Sequence, residues 1–153
     1  MGICYRMKKK ELVLLIDLLG DINALEQKFG DVYISREEYE SIAESLHKKG
    51  FAMICGEKII PDRCISYIIK KMFDSELVLV CEDSGEWIYC SDEIIISVRF
   101  ETEYRIRTAV SGEERRELSE DISGRGYVSV RGPECKIYGE KLAEIFEVVR
   151  VEK

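Results

Sequence analysis

Residues 35–61 read SREEYESIAESLHKKGFAMICGEKIIP, and the punctuation of this stretch decides the fold. Ser35 and Glu38 form an S-x-x-E capping box, in which side chains and backbone donors at a helix start satisfy one another. Tyr39, Ile42, Ala43 and Leu46 then recur at helical spacing and make a buried face. Lys48 and Lys49 fall in the last turn, where positive charge complements the helix dipole, and Gly50 is the residue expected to end the helix. Two short stretches, 51–54 and 58–60, flank a turn around Gly56 and predict a hairpin.

Outward from this stretch, residues 8–19 predict a helix with Leu12, Leu15, Ile16 and Leu19 on one face. Leu14 and Leu18 widen that stripe, so the helix is expected to be deeply buried, and Gly20 stops it. A short turn or helix follows over 23–29 and ends at Gly30. On the other side, Pro61 is expected to start a third helix with Ile65, Ile68, Ile69 and Met72 on its apolar face. Helix, short helix, capped helix, hairpin, helix is the winged-helix order.

The period changes after Asp74. Residues 77–81 and 87–90 predict strands around an Asp83-Ser84-Gly85 turn. Residues 94–100 and 103–110 alternate, which predicts an antiparallel meander with one packed face and one polar face. Ser111 and Glu114 form a second capping box before a helix over 113–122. A short strand at 127–130 sits in a glycine-rich loop spanning 123–133, and a helix over 138–149 buries Leu142, Ile145, Phe146 and Val149. The expected fold class is α+β: a winged-helix-like N-terminal half (1–74) packed with an antiparallel sheet and helices (75–153) in one compact domain.

The chain has 153 residues, 46% of them hydrophobic, with a net charge of −7. Acidic and basic residues balance over 1–74, so the whole of the net charge lies in 75–153. That disfavours phosphate contacts by the second half, because neutralising phosphate takes Lys and Arg. No apolar stretch is long enough to span a membrane. The basic start and apolar 12–19 mimic a signal peptide, but Glu11 and Asp17 interrupt it and no small-residue cleavage site follows. A cytoplasmic location is expected. The six cysteines, Cys4, Cys55, Cys64, Cys81, Cys90 and Cys135, form no C-x₂₋₄-C pair, and one histidine, His47, does not complete a metal site. They read as small buried hydrophobes in a reducing compartment.

Chemistry-bearing motifs are missing. The carboxylate pairs Glu82-Asp83, Asp92-Glu93, Glu113-Glu114 and Glu120-Asp121 sit at turns and helix ends, without calcium-loop spacing. There is no G-x-S-x-G or phosphate-binding glycine motif, and Gly124-Arg125-Gly126 with Gly132 is explained as loop. No catalytic residue, metal or cofactor is expected. His47 reads as a surface residue at the helix C-terminus. A DNA reader would place the capped helix against phosphates. Here that helix carries Glu37, Glu38, Glu40 and Glu44. Trp87 and Tyr89 share a strand face at period two, and with Tyr104 and Ile106 they are the expected protein-contacting residues.

Three segments carry a resemblance: KKKELVLLIDLLGD (8–21), AESLHKKGFAMICGEKIIPDRCISYIIKKMF (43–73) and SELVLVCED (75–83). In their order and pattern the chain resembles the EspG-type proteins associated with ESX (type VII) secretion, in a shorter form. The resemblance covers about the first 110 residues. It implies a cytosolic chaperone or adaptor that binds helical secretion substrates through its sheet and hairpin, and it assigns no individual residue. The sequence therefore predicts a non-enzymatic protein-binding adaptor or chaperone, with acidic surface selecting a basic partner. The alternative is a winged-helix transcriptional regulator that binds DNA through 35–60.

Overall fold

A computed structural model describes residues 3–20, 33–75, 77–81, 84–124, 128–130, 136–137 and 144–146. The chain is α+β and divides into two compact units, one of residues 7–70 and one of residues 1–6 with 71–153.

The first unit is built from α1 (Lys9–Leu18), α2 (Arg36–Lys48), a two-stranded hairpin of β2 (Ala52–Cys55) and β3 (Lys58–Pro61), and the first part of α3 (Arg63–Asp74). Every residue of α1 from Glu11 to Ile16 is buried, as a helix apolar on most sides requires. The Ser35–Glu38 capping box forms: the Glu38 amide donates to Ser35 Oγ at 3.2 Å, and the Ser35 amide donates to Glu38 Oε1 at 3.5 Å. Such a cap is worth about 1 kcal/mol. At the other end the Gly50 amide donates to the His47 carbonyl and the Phe51 amide to that of Leu46. These two bonds are the Schellman motif, and Gly50 supplies its left-handed residue at φ +78°. Pro61 does not start α3. It ends β3 opposite Ala52, and the Asp62 carboxylate accepts from the amides of Cys64 and Ile65, which makes Asp62 the cap. The short helix expected over 23–29 lies outside the described residues.

The second unit holds a sheet of order β1-β7-β6-β5-β4-β8-β9. Its strands are β1 (Cys4–Met7, whose last residue falls to the other unit), β4 (Leu77–Cys81), β5 (Glu86–Cys90), β6 (Ile95–Phe100), β7 (Tyr104–Ala109), β8 (Val128–Val130) and β9 (Lys136–Ile137). The meander β4-β5-β6-β7 is antiparallel throughout. Its α4 (Gly112–Ser123) is capped by Ser111 and Glu114, and Leu118 and Ile122 pack with Leu79, Ile88, Cys90 and Ile95. Phe146, in a helical segment at 144–146, joins the same core, while Leu142 and Val149 lie outside the described residues.

The face that strand alternation predicts to be polar is polar over only part of its area, where Arg99, Arg105 and Arg107 stand. Tyr89, Ile96, Val98 and Ile106 are buried on one face, and Ile88, Cys90, Ile95 and Ala109 on the other. Glu86, Ser97 and Thr108 are buried as well. The polar positions alternate correctly, but α4 and the 144–146 segment cover part of the face that carries Ser97. Two strands, β1 and β9, are missing from the sequence reading. They are short, and β1 is held by contacts about a hundred residues away, such as the Thr108 amide donating to the Ile3 carbonyl at 2.9 Å.

Candidate functional site

A concavity lies within residues 7–70, between α2 and the hairpin. Arg36, Tyr39, Glu40, Ala43 and Glu44 fall at i, i+3, i+4, i+7 and i+8, so one helix face supplies one wall. Ile54 and Ile59, cross-strand partners in the hairpin, supply the other. The groove between them measures about 460 Å³. Its floor is apolar: Ala43 is buried, Tyr39 and Ile59 are half-buried, and Ile54 is 37% exposed. Its rim is charged, with Arg36, Glu40 and Glu44 on the helix and Glu57 at the hairpin tip. The tip is a two-residue turn in which Gly56 takes φ +64° while Glu57 keeps a negative φ, the II′ pattern that matches strand twist.

The outer face of the same hairpin is apolar too. Met53 and Ile60 are cross-strand partners, 57% and 49% exposed. A two-stranded ribbon buries one face against its support, so apolar residues on both faces leave one set in water. The unbroken apolar runs in AMIC and KIIP, which place apolar residues on both faces of the ribbon, carry this signal.

The helix wall is anchored from α1. Glu11, buried inside the unit, accepts from Lys49 Nζ, Ser45 Oγ and the Lys8 amide, each at 2.7 Å. Burial acts to raise its pKa, but Lys49, the Lys8 amide and Ser45 outweigh it and hold the carboxyl below the usual range. Glu38 is also engaged: Lys10 pairs with it and, with the Ser35 cap, holds its carboxyl low. His47 Nδ1 lies 3.3 Å from the Ala52 carbonyl, which ties the end of α2 to the hairpin.

The four residues expected to contact a partner share one sheet face. Tyr89 and Ile106 are buried there, and Trp87 and Tyr104 are half-buried. Tyr89 packs edge-on to Phe73, with ring centroids 6.0 Å apart, and tilted to Trp87 at 6.3 Å. Burial pushes the Tyr104 hydroxyl up, and its ring lies 4.9 Å from the exposed Phe100.

On the other face, Arg99 stands directly opposite Arg105, with Arg107 next along β7. Opposed like charges destabilise a sheet, and here Glu101 bridges both arginines while Asp121 pairs with Arg107. Glu86 accepts from Ser97 beneath them. The recess these groups line holds about 30 Å³, room for a water molecule. It is a satisfied ionic network. Other carboxylates from the acidic pairs have comparable roles: Glu93 pairs with Lys71, and Glu114 caps α4.

No group of three metal-ligating side chains occurs among the described residues. The cysteines do not share one environment. Cys81 and Cys90 are buried, whereas Cys4, Cys55 and Cys64 are exposed at element ends and on the hairpin. The last three therefore depart from the buried reading, and Cys135 lies outside the described residues. Among the described residues no helix is long and apolar enough to cross a membrane. Comparison of the chain with family models, curated proteins and solved structures gave no match.

Proposed function

We propose that this chain is a non-enzymatic protein-binding adaptor or chaperone whose docking surface is the hairpin and the groove beside it. The observation that carries the reading is the exposed Met53–Ile60 pair next to the groove floor of Ile54, Ile59 and Tyr39. Apolar side chains on both faces of one short ribbon are costly in water and are covered when a partner binds. The resemblance to EspG-type secretion proteins is of the same kind, since it implies an adaptor for helical substrates that uses its hairpin.

The regulator reading, a winged helix that binds DNA through 35–60, has less support. Glu37, Glu40 and Glu44 are exposed on α2, where a DNA reader presents cations to phosphate.

A photo-crosslinking residue in place of Met53, with one in place of the exposed Glu117 of α4 as control, tests the proposal in the full chain inside cells. A discrete protein adduct at 53 and none at 117 is expected. Equal adducts at the two positions, no adduct at either, or adducts to nucleic acid would sink it.

A further inference from the structure

We infer that the groove between α2 and the hairpin takes a basic segment of the partner, with Lys or Arg on the acidic rim and a large apolar side chain on the floor. This deepens the adaptor reading and rests on it.

Two features converge. The groove volume, about 460 Å³, lies in the range of sites that enclose apolar groups, and Tyr39, Ile54 and Ile59 offer such a group an apolar floor. The rim sets three carboxylates, Glu40, Glu44 and Glu57, against one cation, Arg36. Among the described residues none of these three carboxylates has an ion-pair or hydrogen-bond partner. The contrast with Glu38 on the same helix is direct, because Lys10 and the Ser35 cap occupy that side chain. Glu40 and Glu44 stand one turn apart, a like-charge arrangement that disfavours the free helix and is relieved by an incoming cation. Residues 36 to 44 span about 12 Å of helix axis, enough for two turns of a helix or about four residues of extended chain. Charge complementarity of this sort governs which partner is accepted and how fast it arrives.

The test uses the full chain and two labelled amphipathic peptides with the same Leu and Phe anchors, one with Lys at every polar position and one with Glu. Fluorescence anisotropy is expected to show binding of the Lys peptide alone, weakening as salt rises. The double variant E40K/E44K is expected to lose at least about tenfold in affinity for the Lys peptide. The control E113K/E117K changes the net charge equally on α4 and is expected to keep it. Ile54→Asp is expected to remove binding without moving the thermal midpoint by more than the control does, since Ile54 is partly exposed. Equal binding of both peptides, an equal loss in the α4 control, or full binding by Ile54→Asp overturns the inference. If neither peptide binds while the residue-53 crosslink still yields a protein adduct, the inference fails and the adaptor reading stands. If the crosslink is also empty, both fail.

Discussion

Glu11 and Lys49 form an ion pair at 2.7 Å in which the carboxylate is 2% exposed and the ammonium about one-third exposed. The pair joins the start of α1 to the end of α2, the helix that supplies one wall of the groove. Removing Lys49 as Lys49→Met leaves a buried carboxylate with its charge uncompensated. That costs about 2–3 kcal/mol, below the usual range for a buried pair because water reaches the lysine. Glu11→Gln keeps an acceptor for the Lys8 amide and presents an NH2 donor to Ser45 Oγ in place of the second oxygen, so it costs less. Urea denaturation of both single variants and the double variant measures the coupling, and strict additivity would refute it.

The same pair sets a pH dependence. The Glu11 carboxyl is held below its ordinary pKa in the folded chain, so the folded state favours the ionised form. Its stabilisation is complete above the unfolded pKa, about 4.3, and is lost as pH falls through the lower folded value. The expected result is a fall in stability below about pH 4 that is shallower in Glu11→Gln. Parallel acid titrations of the two proteins, followed by circular dichroism, check it.

Arg115 is 2% exposed, and its guanidinium donates to three backbone carbonyls: Val110 at 3.0 Å, Phe146 at 3.2 Å and Asp92 at 3.3 Å. It holds together the start of α4, the turn before β6 and the helical segment at 144–146. Arg115→Met is expected to cost about 2–4 kcal/mol, since it leaves several buried acceptors unmet. Arg115→Lys should recover little, because a single ammonium does not reproduce the planar fork. Hydrogen exchange is the discriminating measurement: amides at 144–146 should lose protection before those of β5 and β6.

What the sequence made legible follows from how local each signal is. The capping boxes at Ser35 and Ser111, the glycine end of α2 and the buried α1 are set by residues within a few positions of one another, and all form. Pro61 misled because Asp62, one residue on, is the better cap and Pro61 is acceptable as the end of a strand. Strand β1 depends on partners far along the chain, which no local pattern reveals, and β9, though it pairs with nearby β8, is only two residues long. At the candidate site, period two correctly put Trp87 and Tyr89 on one face, but alternation gives the face and not its burial. The acidity of α2 was readable, whereas the groove needs α2 and the hairpin placed side by side.

The thiols should report these environments directly. Burial pushes Cys90 up to about 12 despite the opposing charge of Arg115, so its thiolate is scarcely populated at neutral pH. Cys4, Cys55 and Cys64 are exposed. In a Cys135→Ser background these three are expected to react with a thiol reagent in the native protein, and Cys81 and Cys90 only in denaturant. Native reaction of Cys90 at the rate of Cys55 would contradict the core described for the sheet.

The hairpin itself separates docking from stability. Met53 and Ile60 face each other across the ribbon and are about half exposed, so their burial contributes little to the folded state. Threonine keeps strand propensity and a favourable cross-strand pair at both positions. The double variant Met53→Thr with Ile60→Thr is therefore expected to change stability by no more than about 1 kcal/mol. A residue required for the fold would behave differently, with a large drop in the urea midpoint. Partner capture should nevertheless fall, because the apolar pair that water leaves uncovered is gone. Capture by the double variant from a crosslinker placed at Lys58, compared with the same crosslinker in the otherwise natural chain, provides the reading. Undiminished capture would move the docking surface away from this ribbon.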